Sequence, residues 1–345
     1  MKKFLFVALL WTGSSSWAQQ RPRLLGLSHI ALRAHDLEAA RQFYGDLFGY
    51  QEAFTILKDN TVAVKGGLPQ NQVSSVFFKV NNRQYIVVVP ETSPEEPRFV
   101  DYAIETDDAE AMRQYLKSLG YAVPDAVRRS PTNDLAFNIK DPEGTAIEIM
   151  QYTPESISVQ NYGKFLSDKR VSTRILHTEA AIRKTASIDF YLKAFNLREF
   201  WRADPSMLPG VHRDDAMAAK AAPIKGPVLA TLSNLKLPEG DDYIEWSLWH
   251  PPTRANNITD DRTGSTNPGA HIALLVPDMA KAVDIIRAKP SWQTYARAAQ
   301  FESHVGINHK WQGNFFDPDG TRTEFMEADP ADGLPSPMSK APYYR

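Results

Sequence analysis

Asp141–Met150 reads DPEGTAIEIM, and about half a chain later Asp317–Met326 reads DPDGTRTEFM. In each, Asp-Pro-x-Gly is a turn: proline presets φ, and glycine supplies the positive φ the turn needs. The residues that follow alternate inward and outward around a glutamate, Glu148 or Glu324, as a strand does. A pattern repeated at this interval makes the chain two copies of one architecture.

Working outward, Leu27-Ser28-His29-Ile30-Ala31-Leu32 is strand-like and precedes a helical stretch, Leu37 to Phe48. Ile175-Leu176-His177-Thr178 precedes a similar one, Thr185 to Phe195, and Phe43-Tyr44 corresponds to Phe190-Tyr191. Apolar residues recur at three- and four-residue spacing in both, which buries one helix face. Each half divides again. Phe99–Glu105 leads into a helix over Asp108–Leu119, and Gly269–Val276 into one over Met279–Ala288. Further short strands follow each opening, among them Gln84–Val89, Ala136–Ile139, Tyr243–Trp249 and Asn314–Phe316. The expected fold class is therefore α+β, four βαβββ modules paired into two domains. The boundaries read as 24–152 for an N-terminal domain, 153–174 for a linker, 175–328 for a C-terminal domain and 329–345 for a proline-rich tail.

The N-terminus reads as a signal rather than fold. Lys2 and Lys3 precede the apolar run Phe4–Trp11, and a small-residue stretch ends at Ser16-Trp17-Ala18. That layout predicts a secretory signal peptide over 1–18 and a periplasmic or secreted mature protein. The run is too short to span a bilayer. The net charge of −2 gives no basic field for nucleic acid. The absence of cysteine rules out disulfides and a lipidated cysteine. There is no glycine-rich phosphate loop, GxSxG elbow, HExxH or CxxC. The expected partner is a small molecule, with no nucleic acid, no membrane after signal cleavage, and a monomer or homodimer.

The four modules, with His on opening strands, Phe-Tyr in helices and DPxGTxxE closing strands, resemble the vicinal oxygen chelate superfamily. That superfamily includes glyoxalase I, the bleomycin- and fosfomycin-resistance proteins and type I extradiol dioxygenases. The resemblance covers nearly all of 24–328. It implies sheets curled into cups around a divalent metal, with ligands on opening and closing strands. The matching positions in the C-terminal half are His177, His271 in Gly269-Ala270-His271, and Glu324. Tyr243-Ile244-Glu245-Trp246 matches Ala146-Ile147-Glu148-Ile149 and places Glu245 at the remaining ligand position.

Imidazole and carboxylate suit Fe(II), Zn, Ni, Co or Mn(II). Four ligands resemble glyoxalase I and three resemble the dioxygenases; the residues leave open whether Glu245 binds the metal or serves as a base. A buried glutamate beside Tyr, Trp and Ile would be costly unpaired, which favours a partner for Glu245 and Glu324. The N-terminal half keeps His29 and Glu148 but reads Val87 and Val100 or Tyr102 at the other positions, so it is expected to be structural, a hydrogen-bonded relic or a weak site. His304 and His309 are candidate acid/base groups. Asn314 stands where the dioxygenases carry Tyr, which counts against catechol cleavage. His212 and Arg213 sit in a long loop, and Trp201, Trp246, Trp249 and Trp311 fit a pocket wall or the core. The expected function is metal-dependent lyase or isomerase chemistry, or extradiol-type O₂ insertion, on a chelating oxygenated substrate; the alternative is a non-catalytic binding protein of the resistance type.

Overall fold

The computed structural model describes residues 21–93, 96, 99–140, 144–182, 186–203, 228–240, 242–250, 271–276, 278–289, 303–305, 311–316 and 322–327. For 179–182, 186, 201, 203, 228–232, 247–250, 271, 280, 303–305, 311–316 and 322 only the backbone is described. The signal stretch, the tail, His212, Arg213 and His309 lie outside these residues, as do the side chains of His271, His304, Trp201, Trp249 and Trp311. No helix among the described residues is long and apolar enough to cross a membrane.

Two sheets form, one per half. The first module gives β1 (Leu24–Ala34), α1 (Leu37–Arg41, running into a π-helical stretch Gln42–Leu47), β2 (Gln51–Leu57), β3 (Val62–Ala63), β4 (Val73–Lys79) and β5 (Tyr85–Pro90). The second gives β6 (Phe99–Thr106), α2 (Ala109–Ser118), β7 (Arg128–Arg129), β8 (Leu135–Lys140) and β9 (Ala146–Gln151). A short helix, α3 (Ile157–Gln160), follows. The second half repeats the order with β10 (Arg174–Ile182), α4 (Ala186–Ala194), β11 (Arg198–Ala203), β12 (Val228–Lys236), β13 (Tyr243–His250), β14 (His271–Val276), α5 (Met279–Arg287), β15 (Ser303–Val305), β16 (Trp311–Phe316) and β17 (Arg322–Glu327). The sheet orders are β3-β2-β4-β5-β1-β6-β9-β8-β7 and β11-β12-β13-β10-β14-β17-β16-β15. In both, the two modules join where their opening strands pair antiparallel, β1 with β6 and β10 with β14.

Local chemistry fixes the module starts. Aspartates cap the helices: Asp36 Oδ1 accepts from Glu38 N at 2.8 Å, Asp108 from Ala111 N at 2.9 Å and Asp278 from Lys281 N at 2.9 Å. Each bond satisfies an amide the helix itself leaves unpaired.

One apolar core runs through both halves, including Phe43, Tyr44 and Phe48 with Tyr191, Trp246 and Phe325. Phe48 meets Phe325 at 5.5 Å between ring centres, and the Tyr102 and Tyr191 hydroxyls are 3.0 Å apart. Trp246 is buried against Tyr191 at 4.4 Å, a core residue rather than a pocket wall.

A buried polar seam crosses the same junction with pseudo-twofold logic. Ile175 N donates to Gln84 Oε1 at 2.8 Å, while its counterpart Leu27 N donates to Asp242 Oδ2 at 2.7 Å. Gln84 and Asp242 each immediately precede the matched tyrosines Tyr85 and Tyr243. The linker is also tied down: Asn161 O accepts from Lys79 Nζ, Gly163 N donates to Asn82 Oδ1 at 2.8 Å and Val171 N to Phe48 O at 2.9 Å.

Candidate metal centre

Four adjacent strands of the second sheet, β13-β10-β14-β17, carry Glu245, His177, His271 and Glu324. The register aligns them. Ala273 pairs with both His177 and Glu324, and His271 stands two residues before it. His177 pairs with Tyr243, and Glu245 lies two residues on. Residues two apart share a sheet face. A register shift between Ile175 and His177 bends β10 just before the histidine, and the same shift falls between Leu27 and His29. Such bulges re-aim a side chain next to a functional site.

His177 is 1% exposed, and its Nε2 lies 3.6 Å from Glu324 Oε2. Its ring stacks on Tyr243 with centres 4.4 Å apart and planes at 28°. Phe200 meets the Tyr243 ring edge-on, with centres 5.2 Å apart, and the Tyr243 hydroxyl donates to Met326 Sδ at 3.6 Å. Burial pushes the Tyr243 phenol well up, and the charges of Glu245 and Glu324 push it further. Both carboxylates are therefore close enough to act on the ring beside His177.

One imidazole and two carboxylates, all buried, come from three strands of the sheet, with His271 on a fourth, and these are residue types that suit a divalent cation. Two donors each about 2.1–2.2 Å from an ion at 90–110° lie about 3.0–3.5 Å apart, close to the separation of His177 and Glu324. Among the described residues, no three such groups stand at full ligand geometry. Asn314 pairs with Glu324 in β16, as Asn138 pairs with Glu148 in β8. His304 pairs with Gln312 in β15, two strands beyond Glu324 in the sheet order.

The first half corrects the expectation at one position. Ala103 pairs with His29 and with Glu148, so the residue matching His271 is Asp101, not Val100 or Tyr102. The signal was present: Asp101-Tyr102-Ala103-Ile104 lies over His271-Ile272-Ala273-Leu274 once the alanines are matched. Asp101 Oδ1 is 3.3 Å from His29 Nε2, and Glu148 Oε2 is 3.7 Å from the same nitrogen. Burial works against a charged His29, but the Asp101 hydrogen bond and the charges of Asp101, Glu148 and Asp134 outweigh it and raise the pKa. Burial raises Glu148, offset in part by His29 and Arg128. Arg128 Nη2 donates to Glu148 Oε1 at 2.6 Å and Asn138 Oδ1 at 2.7 Å. Val87, matching Glu245, belongs to an apolar cluster with Phe54 and Tyr85, against which Ile157 and Phe165 of the linker pack.

A cavity of about 390 Å³ lies elsewhere, between the first half's closing strands and α4, lined by Tyr121, Ile139, Lys140 and Phe190 among others. No imidazole or carboxylate lines it, so it is not the candidate centre.

The family model Glyoxalase/Bleomycin resistance protein/Dioxygenase superfamily matches residues 26–149. No curated protein matches the sequence. Among solved structures, the Mn(II)-bound glyoxalase from Novosphingobium aromaticivorans is similar at 14% identity and TM-score 0.58, over 89% of this chain and 83% of that one. A 2,3-dioxygenase from Pseudomonas sp. KL28 is similar at 12% identity and TM-score 0.56, over 89% and 93%. An extradiol ring-cleaving dioxygenase from Brevibacterium fuscum is similar at 13% identity and TM-score 0.55, over 89% and 72%. At these identities the likeness is one of fold. Residues 26–149 match the glyoxalase/bleomycin resistance/dioxygenase superfamily model, and the second half repeats the order of strands and helices of the first.

Proposed function

We propose that the chain is an exported, metal-dependent enzyme acting on a small oxygenated substrate that chelates through two neighbouring oxygens. The observation that carries this reading is the buried pair His177 and Glu324, 3.6 Å apart, with Glu245 on the neighbouring strand. His177, His271 and Glu324 hold the ion, and Glu245 is the fourth ligand or the base. A divalent ion held by these residues would supply polarisation of a substrate carbonyl or hydroxyl oxygen. Tyr243 holds the His177 ring in plane, and Phe200 and Tyr243 form an aromatic wall beside the carboxylates. Glu245, where it is not itself a ligand, would take a proton from the carbon next to the polarised group; returning it to the neighbouring carbon is isomerase chemistry, and giving it to a group that departs with its bonding electrons is lyase chemistry. His304 and His309 are further acid/base candidates in this reading.

Export rests on the Lys2-Lys3, apolar and Ser16-Trp17-Ala18 pattern, which directs the mature protein to the periplasm or outside the cell. The test is metal analysis of the mature protein, with and without His271→Ala. The reading requires one tightly held ion in the wild type and a loss of about 10–100-fold in affinity in the variant. A wild type that carries no stoichiometric metal and gains none on soaking defeats the enzyme reading. Retention of a small molecule by metal-free protein instead supports a binding module. O₂ uptake with catechol and Fe(II) supports the ring-cleaving branch over proton transfer.

A further inference from the structure

Glu245 has a cross-strand partner, Asn234 of β12, which pairs with it directly. The next pair along, Leu235 with Ile244, lies in the apolar core. Side chains alternate along a strand, so Asn234 and Glu245 share the opposite face, the one that carries His177 and Glu324. Directly opposed side chains have Cβ atoms about 4.5–5.5 Å apart.

The pairing recurs. Asn314 pairs with Glu324 and Asn138 with Glu148; in the remaining module, where Val87 replaces the glutamate, its partner is Phe77. Asparagine thus accompanies the glutamate wherever the glutamate is kept. The first half shows what such a pair does. Arg128 Nη2 donates to Glu148 Oε1 at 2.6 Å and to Asn138 Oδ1 at 2.7 Å, so the two oxygens clamp one donor group.

Among the described residues, none takes the place of Arg128 beside Asn234. Asn234 is 3% exposed, and its buried Oδ1 has no hydrogen-bond partner. A carboxylate at Glu245 offers only acceptors. The Tyr243 hydroxyl, on the same face, is given to Met326 Sδ. A buried oxygen left in this way is destabilising to the free protein. Its place beside Glu245 is that of a group kept for a ligand.

We propose that Asn234 and the Glu245 carboxylate form a specificity clamp for a substrate hydroxyl, taking from the ligand the donor that Asn138 and Glu148 take from Arg128. The proposal deepens the proposed function and rests on that reading of the second half. Asn234 does not hold the ion; it selects substrates that carry an O–H beside the group on which Glu245 acts.

The test compares two probes with the same pair of neighbouring oxygens: hydroxyacetone, and methoxyacetone, in which a methyl group caps the hydroxyl. Saturation-transfer NMR measures both Kd values on the protein loaded with Zn(II) and on the metal-free protein. The wild type is expected to favour hydroxyacetone, and Asn234→Leu to cut that preference about tenfold with Zn(II) content unchanged. Because leucine removes an unpaired buried oxygen, the variant's urea midpoint is expected to hold or rise, whereas loss of a purely structural asparagine would lower it. The proposal is overturned if the wild type shows no preference or binds neither probe, if Asn234→Leu keeps the full preference, or if the midpoint falls. A wild type that takes up no Zn(II) defeats the metal reading instead, and the preference measured on the metal-free protein then decides the role of Asn234.

Discussion

Replacing Asp242 by alanine tests how the two halves are coupled and how the site strand is held. Asp242 is fully buried. Its Oδ1 accepts from Arg174 Nε at 3.1 Å and Nη2 at 2.8 Å. Its Oδ2 accepts from Leu27 N at 2.7 Å and Gln84 Nε2 at 3.3 Å. One carboxylate thus neutralises a guanidinium only 7% exposed and caps a backbone amide of the other half. Removing it strands a buried charge, at about 3–5 kcal/mol. The abandoned Leu27 amide adds about 1–3 kcal/mol. Because the terms share one site they are not additive, and we predict a net loss of about 4 kcal/mol. That is a large part of an ordinary total stability of about 5–15 kcal/mol. Asp242→Asn keeps one acceptor oxygen, sets an NH2 donor against the N–H donors on the other side, and should lose about 2–3 kcal/mol. Pairing Asp242→Ala with Arg174→Met should recover part of the loss, since no charge is then left unpaired. The assay is urea unfolding followed by tryptophan fluorescence, with the slope unchanged and the midpoint lowered. An Asp242→Ala loss below about 1 kcal/mol, or no recovery in the double variant, would refute this account of the seam.

Other expectations follow from single contacts. Tyr243→Leu should weaken metal binding about 10–100-fold while Tyr243→Phe keeps it, because the stacked ring rather than the hydroxyl orients His177; equal losses in calorimetric titration of both variants would contradict this. Gly49 has φ of +77°, and a Cβ there would run into the Lys169 carbonyl, so Gly49→Ala should cost about 1–3 kcal/mol in denaturant unfolding. Lys79 has its pKa lowered to about 8 by burial and by the charges of Arg170 and Lys164. The unfolded chain keeps that proton to higher pH, so from about pH 8 to 10 it binds more protons than the folded chain and stability rises with pH. Lys79→Met should flatten that rise in stability measured across the window, and an unchanged slope would count against it.

How much of this was legible beforehand can be argued residue by residue. The Asp-Pro-x-Gly turns, the opening histidines and the Phe-Tyr pairs announced the repeated α+β modules, because turn chemistry and helix periodicity are local properties. His177, His271 and Glu324 were singled out by the family resemblance and Glu245 by its match to Glu148 in the repeat, and the fold sets all four on adjacent strands. Asp101 was missed because strand register decides it: a shift of one residue moves a side chain to the other face, and Val100 and Tyr102 flank it. Arg128 was out of reach for a different reason. It sits on a two-residue strand with no repeat partner in the sequence pattern, and only the folding of β7 against β8 brings it to Glu148. The exchange of roles between Gln84 and Asp242 is likewise a product of the packed halves. The helix caps Asp36, Asp108 and Asp278 were readable from sequence by their place just before each apolar period.

The most direct test of the central claim is anomalous diffraction from crystals of the protein soaked with Mn(II). The account predicts a peak within about 2.0–2.4 Å of His177 Nε2 and of a Glu324 carboxylate oxygen, lost in Glu324→Gln. A soaked wild-type crystal with no peak between those two side chains would contradict it.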